Sequence, residues 1–570
     1  MSHEEIITLI KKHALINAIK YGGKAEVKAV VGKVLSERPD LKQMAQEIFK
    51  LSNIVVLEIN SMNINEQQDL AKKLGIFISK EKPKEQKHIL PPLPNAQKYT
   101  RIKVRFAPNP DFAIHLGNSR AAILNDEYAK MYNGIFILRF EDTSPSVKPP
   151  MIEAYDAIRE DLKWLGINWH EEYIQSQRME IYYDYAEKII EINGAYVCTC
   201  NPESFRKLIA SSIPCPCREL PVEEHLKRWS KMLNGEFKKG EAVMRIKTDL
   251  NHPNPAVRDW PAMRIDPKPH PLQGSKYRVW PLYNFACAID DHLMGITHIL
   301  RGKEHEINTI RQLYLYKYFG WEYPEVIHYG RLKIEGTILS KSKMRQGIEE
   351  GKFMDWSDPR LGTIAALRKR GILPDTIRQI IIEVGIKPSE ATISWENLEA
   401  INRKILDPLT KRFIFLQEPI TITIKGIPKN FEAKIPLHPD HPEWGFIKYK
   451  INSGSSVVLV QNKDVSELNN GAILRLMNLF NIKKISQTEF NYFSEDILDI
   501  KKLNSPIIQW LPHGVGVEIS IIMKDGSIIN GIVDDNVLKE SLPNSFQFYR
   551  FGFVRLYKIN NKLIGYYTHD

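Results

Sequence analysis

The sequence predicts an α/β core interrupted by an insertion, preceded by helices and followed by an all-β region. Three observations predict it: a strand–loop–helix–strand unit beginning near residue 99, a cysteine- and proline-rich break over 198–280, and short alternating strands over 411–570. With 570 residues the chain exceeds what one hydrophobic core supports, so several domains are expected. The 43% hydrophobic and 26% charged content is that of globular protein. No apolar run approaches the roughly 20 residues that span a bilayer. The opening MSHEEIITLIKKHALINAIK is acidic and then amphipathic rather than signal-like, which predicts a soluble, cytoplasmic protein. A net charge of +11 favours polyanionic partners. The lysines are spread along the chain, which suits an extended binding face better than a disordered arm.

Each element follows in order. Residues 1–78 space apolar residues three and four apart and predict a helical N-terminal domain. The stretch 79–98, SKEKPKEQKHILPPLPNAQK, is lysine- and proline-rich and reads as an extended linker. Residues 99–197 open the core: YTRIKVRFAP is a strand running into Pro108 and Pro110, SRAAILNDEYAKMYNG a helix capped by Gly134, and IFILRFED a second strand. From 151 to 197 helices joined by a short loop are expected. Residues 198–280 form the inserted domain, and 281–344 resume the strand–helix alternation. Residues 345–410 read as helical. In 411–570, segments such as ITITIKG and SSVVLVQ, with an Asp525-Gly526 hairpin turn, predict barrels or sandwiches.

Two short motifs carry chemistry. His115-Leu116-Gly117-Asn118 lies where the first core helix begins, so backbone N–H groups and the positive helix end face an anion, and Gly117 lets backbone or nucleotide approach closely. ILSKSKM (338–344) offers ammonium groups beside small hydroxyls, suited to a polyphosphate whose charge grows at the transition state. A third feature is structural: Cys198-x-Cys200 and Cys215-x-Cys217 supply four thiolates, enough to close a tetrahedral zinc site with no open position.

In this setting the chain resembles the class I aminoacyl-tRNA synthetases, whose signatures are HIGH and KMSKS. HLGN places Asn118 where the second histidine would stand; ILSKS places Ile338 and Leu339 where the first lysine and the methionine would stand. More narrowly, VRFAPNPDFAIHLGN, LRFEDTSP, AYVCTC, YNFACAIDDHLMGITHILRGKEH and GRLKIEGTILSKSK are similar to the glutamyl-tRNA synthetases of archaeal and eukaryotic type. The likeness runs from about residue 99 to 570 and includes IIQWLP and FQFYRFGFVRL; the first 98 residues match only loosely.

That resemblance implies a Rossmann-type catalytic domain in two halves, an acceptor-binding insertion, a helical subdomain and anticodon-binding β-barrels. It implies ligation of L-glutamate to tRNA-Glu through a glutamyl-adenylate, with ATP and Mg²⁺ as substrate complex and a structural zinc. The chain would be a monomer, its N-terminal domain available to protein partners. Charging of tRNA-Gln as well, or a glutaminyl enzyme, are the alternative readings.

The residue roles implied are these. His115 and Lys341 are catalytic, with Lys343 as helper. Gly117, Asn118, Glu304, Ser340 and Ser342 join them in binding ATP, Glu304 at the ribose. Arg105 would fork the substrate's side-chain carboxylate and Glu141 would hold its α-ammonium. Ala107, Asn109, Tyr283, Cys287 and Arg301 would line the amino-acid pocket. Trp510 and the aromatics of FQFYRFGFVRLYK are candidates to stack bases, with half or more expected to be barrel core.

Overall fold

The computed structural model describes residues 3–20, 23–74, 90–337 and 340–570. Residues 79–89 of the expected linker, and Ile338 and Leu339 of the lysine loop, lie outside the described residues. The chain divides into two compact units, Met1–His88 and Ile89–Asp570. In the first, α1 (His3–Lys20), α2 (Val27–Glu37), α3 (Ala45–Ser61) and α4 (Ile64–Lys73) bury the residues that the periodicity marks, among them Ile10, Leu15, Val34, Ile48 and Ile59.

The second unit opens with β1 (Lys103–Phe106), α5 (Leu116–Met131) and β2 (Ile135–Phe140), a βαβ unit whose strands pair in parallel from Lys103↔Ile135 to Phe106↔Leu138. Gly134 is not the helix cap. Asn133 takes the left-handed turn (φ 48°), and Gly134 is required by a close approach: a Cβ there would stand 2.5 Å from the Ile102 carbonyl oxygen. Next come α6 (Ile152–Trp164), β3 (Glu171–Ile174) and α7 (Met179–Glu191). β3 pairs with β2 in parallel, where only helices were expected. Its four residues, EEYI, are half-exposed and carry no apolar run to betray a strand.

The insertion comprises β4 (Ala195–Cys198), α8 (Pro202–Ala210), α9 (Val222–Asn234), β5 (Val243–Ile246), β6 (Pro261–Ile265) and β7 (Val279–Pro281). Its strands form an antiparallel sheet in sequence order over a core containing Trp229, Trp260 and Trp280. The α/β pattern then resumes with α10 (Tyr283–Leu293), β8 (His298–Gly302), α11 (Glu306–Phe319) and β9 (Glu325–Tyr329). β8 and β9 are parallel partners, and they meet β1 through Thr297, whose N–H donates to the Lys103 carbonyl at 2.9 Å. The strands thus run β3–β2–β1–β8–β9. Their order reverses between β1 and β8, where doubly wound sheets open a crevice at their carboxyl ends.

Beyond β9 lie β10 (Leu332–Ile334), α12 (Lys341–Glu349), α13 (Ile364–Arg370), α14 (Pro374–Val384), β11 (Ala391–Ile393) and α15 (Trp395–Leu406). The residues entering α13 fold back on the start of α5. The Leu116 N–H donates to the Gly362 carbonyl and the Ile364 N–H to the Ile114 carbonyl, both at 3.0 Å, and His115 bridges Thr363. At its other end Arg370 donates to the Thr568 carbonyl at 3.2 Å, and the Thr568 hydroxyl donates back to the Arg370 carbonyl.

From Arg412 onward two seven-stranded sheets and a hairpin share one core. The Asp525-Gly526 turn closes the hairpin of Val517–Ile522 and Ile528–Val533, with Gly526 at φ 87°. Trp510 is core rather than a stacking platform: it is fully buried and its Nε1–H donates to the Met477 carbonyl at 3.0 Å. Phe546, Phe548 and Phe553 are buried too. Among the described residues no helix is long and apolar enough to cross a membrane.

Candidate active site

A cavity of about 930 Å³ occupies the crevice, floored by the ends of β1, β2 and β8 and walled by the starts of α5, α10 and α12. It brings together Arg105, Ala107, Asn109, His115, Gly117, Asn118, Glu141, Tyr283, Arg301, Glu304 and Lys341. Four expected residues do not line it. Ser340 and Ser342 are exposed and bond each other at 3.0 Å, and Cys287 is buried behind the wall. Lys343, the expected helper, is likewise exposed and off the lining. Eight lysines and arginines face the cavity against three carboxylates, a balance suited to a polyanion.

The HLGN tetrapeptide is a reciprocal cap. The Asn118 N–H donates to His115 Nδ1 at 3.3 Å, and the His115 N–H donates to Asn118 Oδ1 at 3.5 Å. Burial and the neighbouring Lys341 ammonium lower the His115 pKa to about 3, so the ring is neutral near pH 7. With Nδ1 accepting, the ring proton sits on Nε2, which leaves a neutral donor for a phosphate oxygen. Gly117 fits beneath this ring: a Cβ there would lie 3.0 Å from two of its atoms. Lys341 reaches over from α12, its ammonium donating to Asp111 Oδ1 at 2.8 Å and to the Asn109 carbonyl at 3.1 Å. Burial, with Lys148 and Arg345 nearby, lowers its pKa against the pull of Asp111.

At the other end of the cavity Arg105 departs from expectation. Its Nε and Nη2 already form a fork to Asp291, at 3.0 and 3.2 Å, leaving Nη1 for a ligand. Arg301 is buried and pairs with no carboxylate: Gln312, Thr309 and the Tyr323 hydroxyl hold it at 2.6–3.2 Å, and its Nε has no partner. Asn109 Oδ1 is also buried and unpaired. A polar ligand satisfies such groups. Glu141 Oε1 accepts from Arg139 Nη2 at 3.1 Å and from the Cys287 thiol at 2.9 Å.

Sequence reasoning passed over the residues that tie this end together. Asp291 takes Arg139 Nη1 at 2.7 Å as well as Arg105, and the two guanidinium groups lower its pKa to about 2 against its burial. Asp290 faces the other way, accepting from Arg178, Tyr182 and Gln175 at 2.6–3.0 Å. The available signal was a pair of acids at the end of an otherwise apolar helix, which demands buried cations nearby.

In the insertion the four cysteine sulfurs lie within 4.8 Å of one another, with neighbouring pairs at 3.2, 3.5 and 3.7 Å. A tetrahedron with Zn–S near ~2.3 Å has edges of roughly 3.8 Å, so the set can hold such a cation. Cys217 Sγ also receives the Thr199 N–H at 3.5 Å and Arg228 Nη1 at 3.3 Å, an outer shell that favours thiolate.

A crevice at a strand-order reversal, a capped helix start facing it and a lysine reaching in from the start of α12 are the arrangement that the resemblance to class I synthetases implied. Residues 101–408 match the family model "tRNA synthetases class I (E and Q), catalytic domain", and 410–501 the corresponding anti-codon binding domain. A Glutamate--tRNA ligase from Pyrococcus furiosus is 53% identical over 99% of this chain and all of its own, and one from Sulfurisphaera tokodaii 48% identical over the full length of both. A solved glutamate tRNA ligase from Elizabethkingia meningosepticum aligns with 55% of this chain and 70% of its own, at TM-score 0.41 and 24% identity. The chain belongs to the class I tRNA synthetases for Glu and Gln and, within them, to the archaeal-type glutamate–tRNA ligases.

Proposed function

We infer that this chain ligates L-glutamate to tRNA-Glu, and the observation that carries the reading is its full-length likeness to glutamate–tRNA ligases. The glutamate α-carboxylate attacks the α-phosphorus of ATP, diphosphate leaves and glutamyl-adenylate forms. The terminal ribose hydroxyl of the tRNA then attacks the activated carbonyl, giving Glu-tRNA and AMP. No side-chain nucleophile is needed; catalysis is alignment plus charge stabilisation. His115 Nε2–H and the start of α5 steady the phosphates, and Lys341 neutralises the departing diphosphate. Glu304, Gly117 and Asn118 serve the nucleotide. Mg²⁺ enters with ATP and shares its phosphate charge.

For the amino acid, Arg301 and Arg105 Nη1 offer cations to the two carboxylates, and Glu141 Oε2 takes the α-ammonium. Tyr283, Ala107 and Asn109 shape the pocket. The insertion would meet the acceptor end of the tRNA and the β region its anticodon. The chain acts in the cytoplasm as a monomer, with the N-terminal helices free to meet protein partners.

The decisive test is pyrophosphate exchange with tRNA present, followed by charging of tRNA-Glu and tRNA-Gln transcripts. Exchange and charging with glutamate are expected; exchange with glutamine alone would overturn the substrate. Zinc is expected on Cys198, Cys200, Cys215 and Cys217, where it would pin the two knuckles of the insertion. Metal analysis of protein purified without chelator should find about one equivalent, and less than about half would remove the site.

A further inference from the structure

Along α10, Tyr283, Cys287 and Asp291 stand at four-residue intervals and share one face. Tyr283 lines the cavity and Asp291 binds Arg105 and Arg139, each with an evident task. Cys287, between them, is fully buried and does not line the cavity; its thiol donates to Glu141 Oε1 at 2.9 Å. Burial and the Glu141 charge push the thiol pKa well above its usual value, so it remains a donor. The same oxygen takes Arg139 Nη2 at 3.1 Å, and Arg139 is itself fixed by Asp291 at 2.7 Å. Glu141 Oε1 is thus held on two sides, and the carboxylate cannot turn without breaking both bonds. Its Oε2 accepts no hydrogen bond from the described residues, while the residue faces the cavity.

We propose that Cys287 is a positioning residue: its thiol hydrogen bond, acting with Arg139, locks the Glu141 carboxylate so that Oε2 is presented to the α-ammonium of the amino acid. This rests on the role given to Glu141 above. Cys287 itself never touches the substrate, which replaces its expected place in the pocket wall. A thiol suits the position because it is small, neutral and a donor. An amide at this depth would bring a second donor and an acceptor needing partners, and a carboxylate would repel Glu141.

The test is pyrophosphate exchange at saturating tRNA with wild type, Cys287→Ser, Cys287→Ala and Glu141→Gln. Glutarate, which is glutamate without the ammonium, serves as competitive inhibitor. Cys287→Ala should raise KM for glutamate about fivefold, with kcat and KM for ATP within about twofold. Cys287→Ser, which keeps a donor, should return KM to within about twofold of wild type. Inhibition by glutarate should be alike in all three, because only the hold on the ammonium has changed. Equal losses in the serine and alanine variants, or a glutarate inhibition constant rising in step with the glutamate KM, would mean that packing matters and not the hydrogen bond. If Glu141→Gln raises KM but Cys287→Ala does not, the positioning role alone fails. If Glu141→Gln leaves KM unchanged, the role of Glu141 falls and the proposal with it.

Discussion

Lys341→Ala lowers kcat for pyrophosphate exchange by about 10²–10³, while KM for glutamate stays within about threefold. The expectation comes from where the ammonium sits. It is anchored by Asp111 at 2.8 Å and by the Asn109 carbonyl at 3.1 Å, on the loop that leads into His115. His115 is neutral, with its pKa at about 3, so it donates a hydrogen bond but brings no charge. Asn118 is engaged in the cap and brings none either. The charge that builds on the departing diphosphate must be met elsewhere, and Lys341 is the cation tethered beside that helix start. The residues proposed to hold glutamate, Arg105, Arg301 and Glu141, share no hydrogen bond with Lys341, so its KM is expected to be spared. Lys343→Ala, two residues on but off the lining, should change kcat by no more than about twofold. An unchanged kcat in Lys341→Ala would take the residue out of the chemistry.

The second large effect is on stability. Asp291→Asn should lower the stability of the catalytic unit by about 3–5 kcal/mol, because it leaves the buried Arg105 guanidinium without a counter-charge and Arg139 with Glu141 alone. Arg139 is fully buried and Arg105 nearly so. Removing one cation as well, in Asp291→Asn/Arg139→Met, should restore part of the loss, and urea midpoints across the four-protein cycle measure the coupling. Strict additivity would show that the two groups do not share one network.

The acid limb gives an independent check. The folded pKa of Asp291, about 2, lies below the roughly 3.9 of an unfolded aspartate. Unfolding therefore takes up a proton between these values. The contribution is fully present above about pH 4 and is lost as pH falls towards 2, a drop of roughly 2.5 kcal/mol. Asp291→Asn should show a correspondingly flatter profile over that window.

What could be read from the sequence was whatever is local or repeated. The placement of His115 at a helix start follows from a strand, two prolines and an apolar-periodic run within thirty residues. The cysteine knuckles and the Asp525-Gly526 hairpin are equally short-range. The misses share a different character. Nothing around Asp291 says that it pairs with Arg105, 186 residues away, and Arg139, 152 residues away. Arg105 was read as free for substrate because its partner was invisible. β3 escaped because four half-exposed residues carry no periodicity, and Gly134 was given the wrong task because its constraint is the neighbouring strand. For Trp510 and Cys287 only burial distinguishes an anchor in the core from a side chain at a surface, and burial is a property of the assembled chain.

The seven residues of α13 have a consequence for the timing of synthesis. One end is strapped to the backbone around His115, and the other is clasped by Thr568, which lies 198 residues beyond Arg370. At ~5–20 residues per second a ribosome needs roughly 10–40 s to make that stretch. During the interval a nascent chain already contains every residue that lines the crevice, yet the helix braced against it has only one of its two attachments. The active site is thus spelled out long before it is buttressed, and its rigidity arrives with the β region rather than with its own domain.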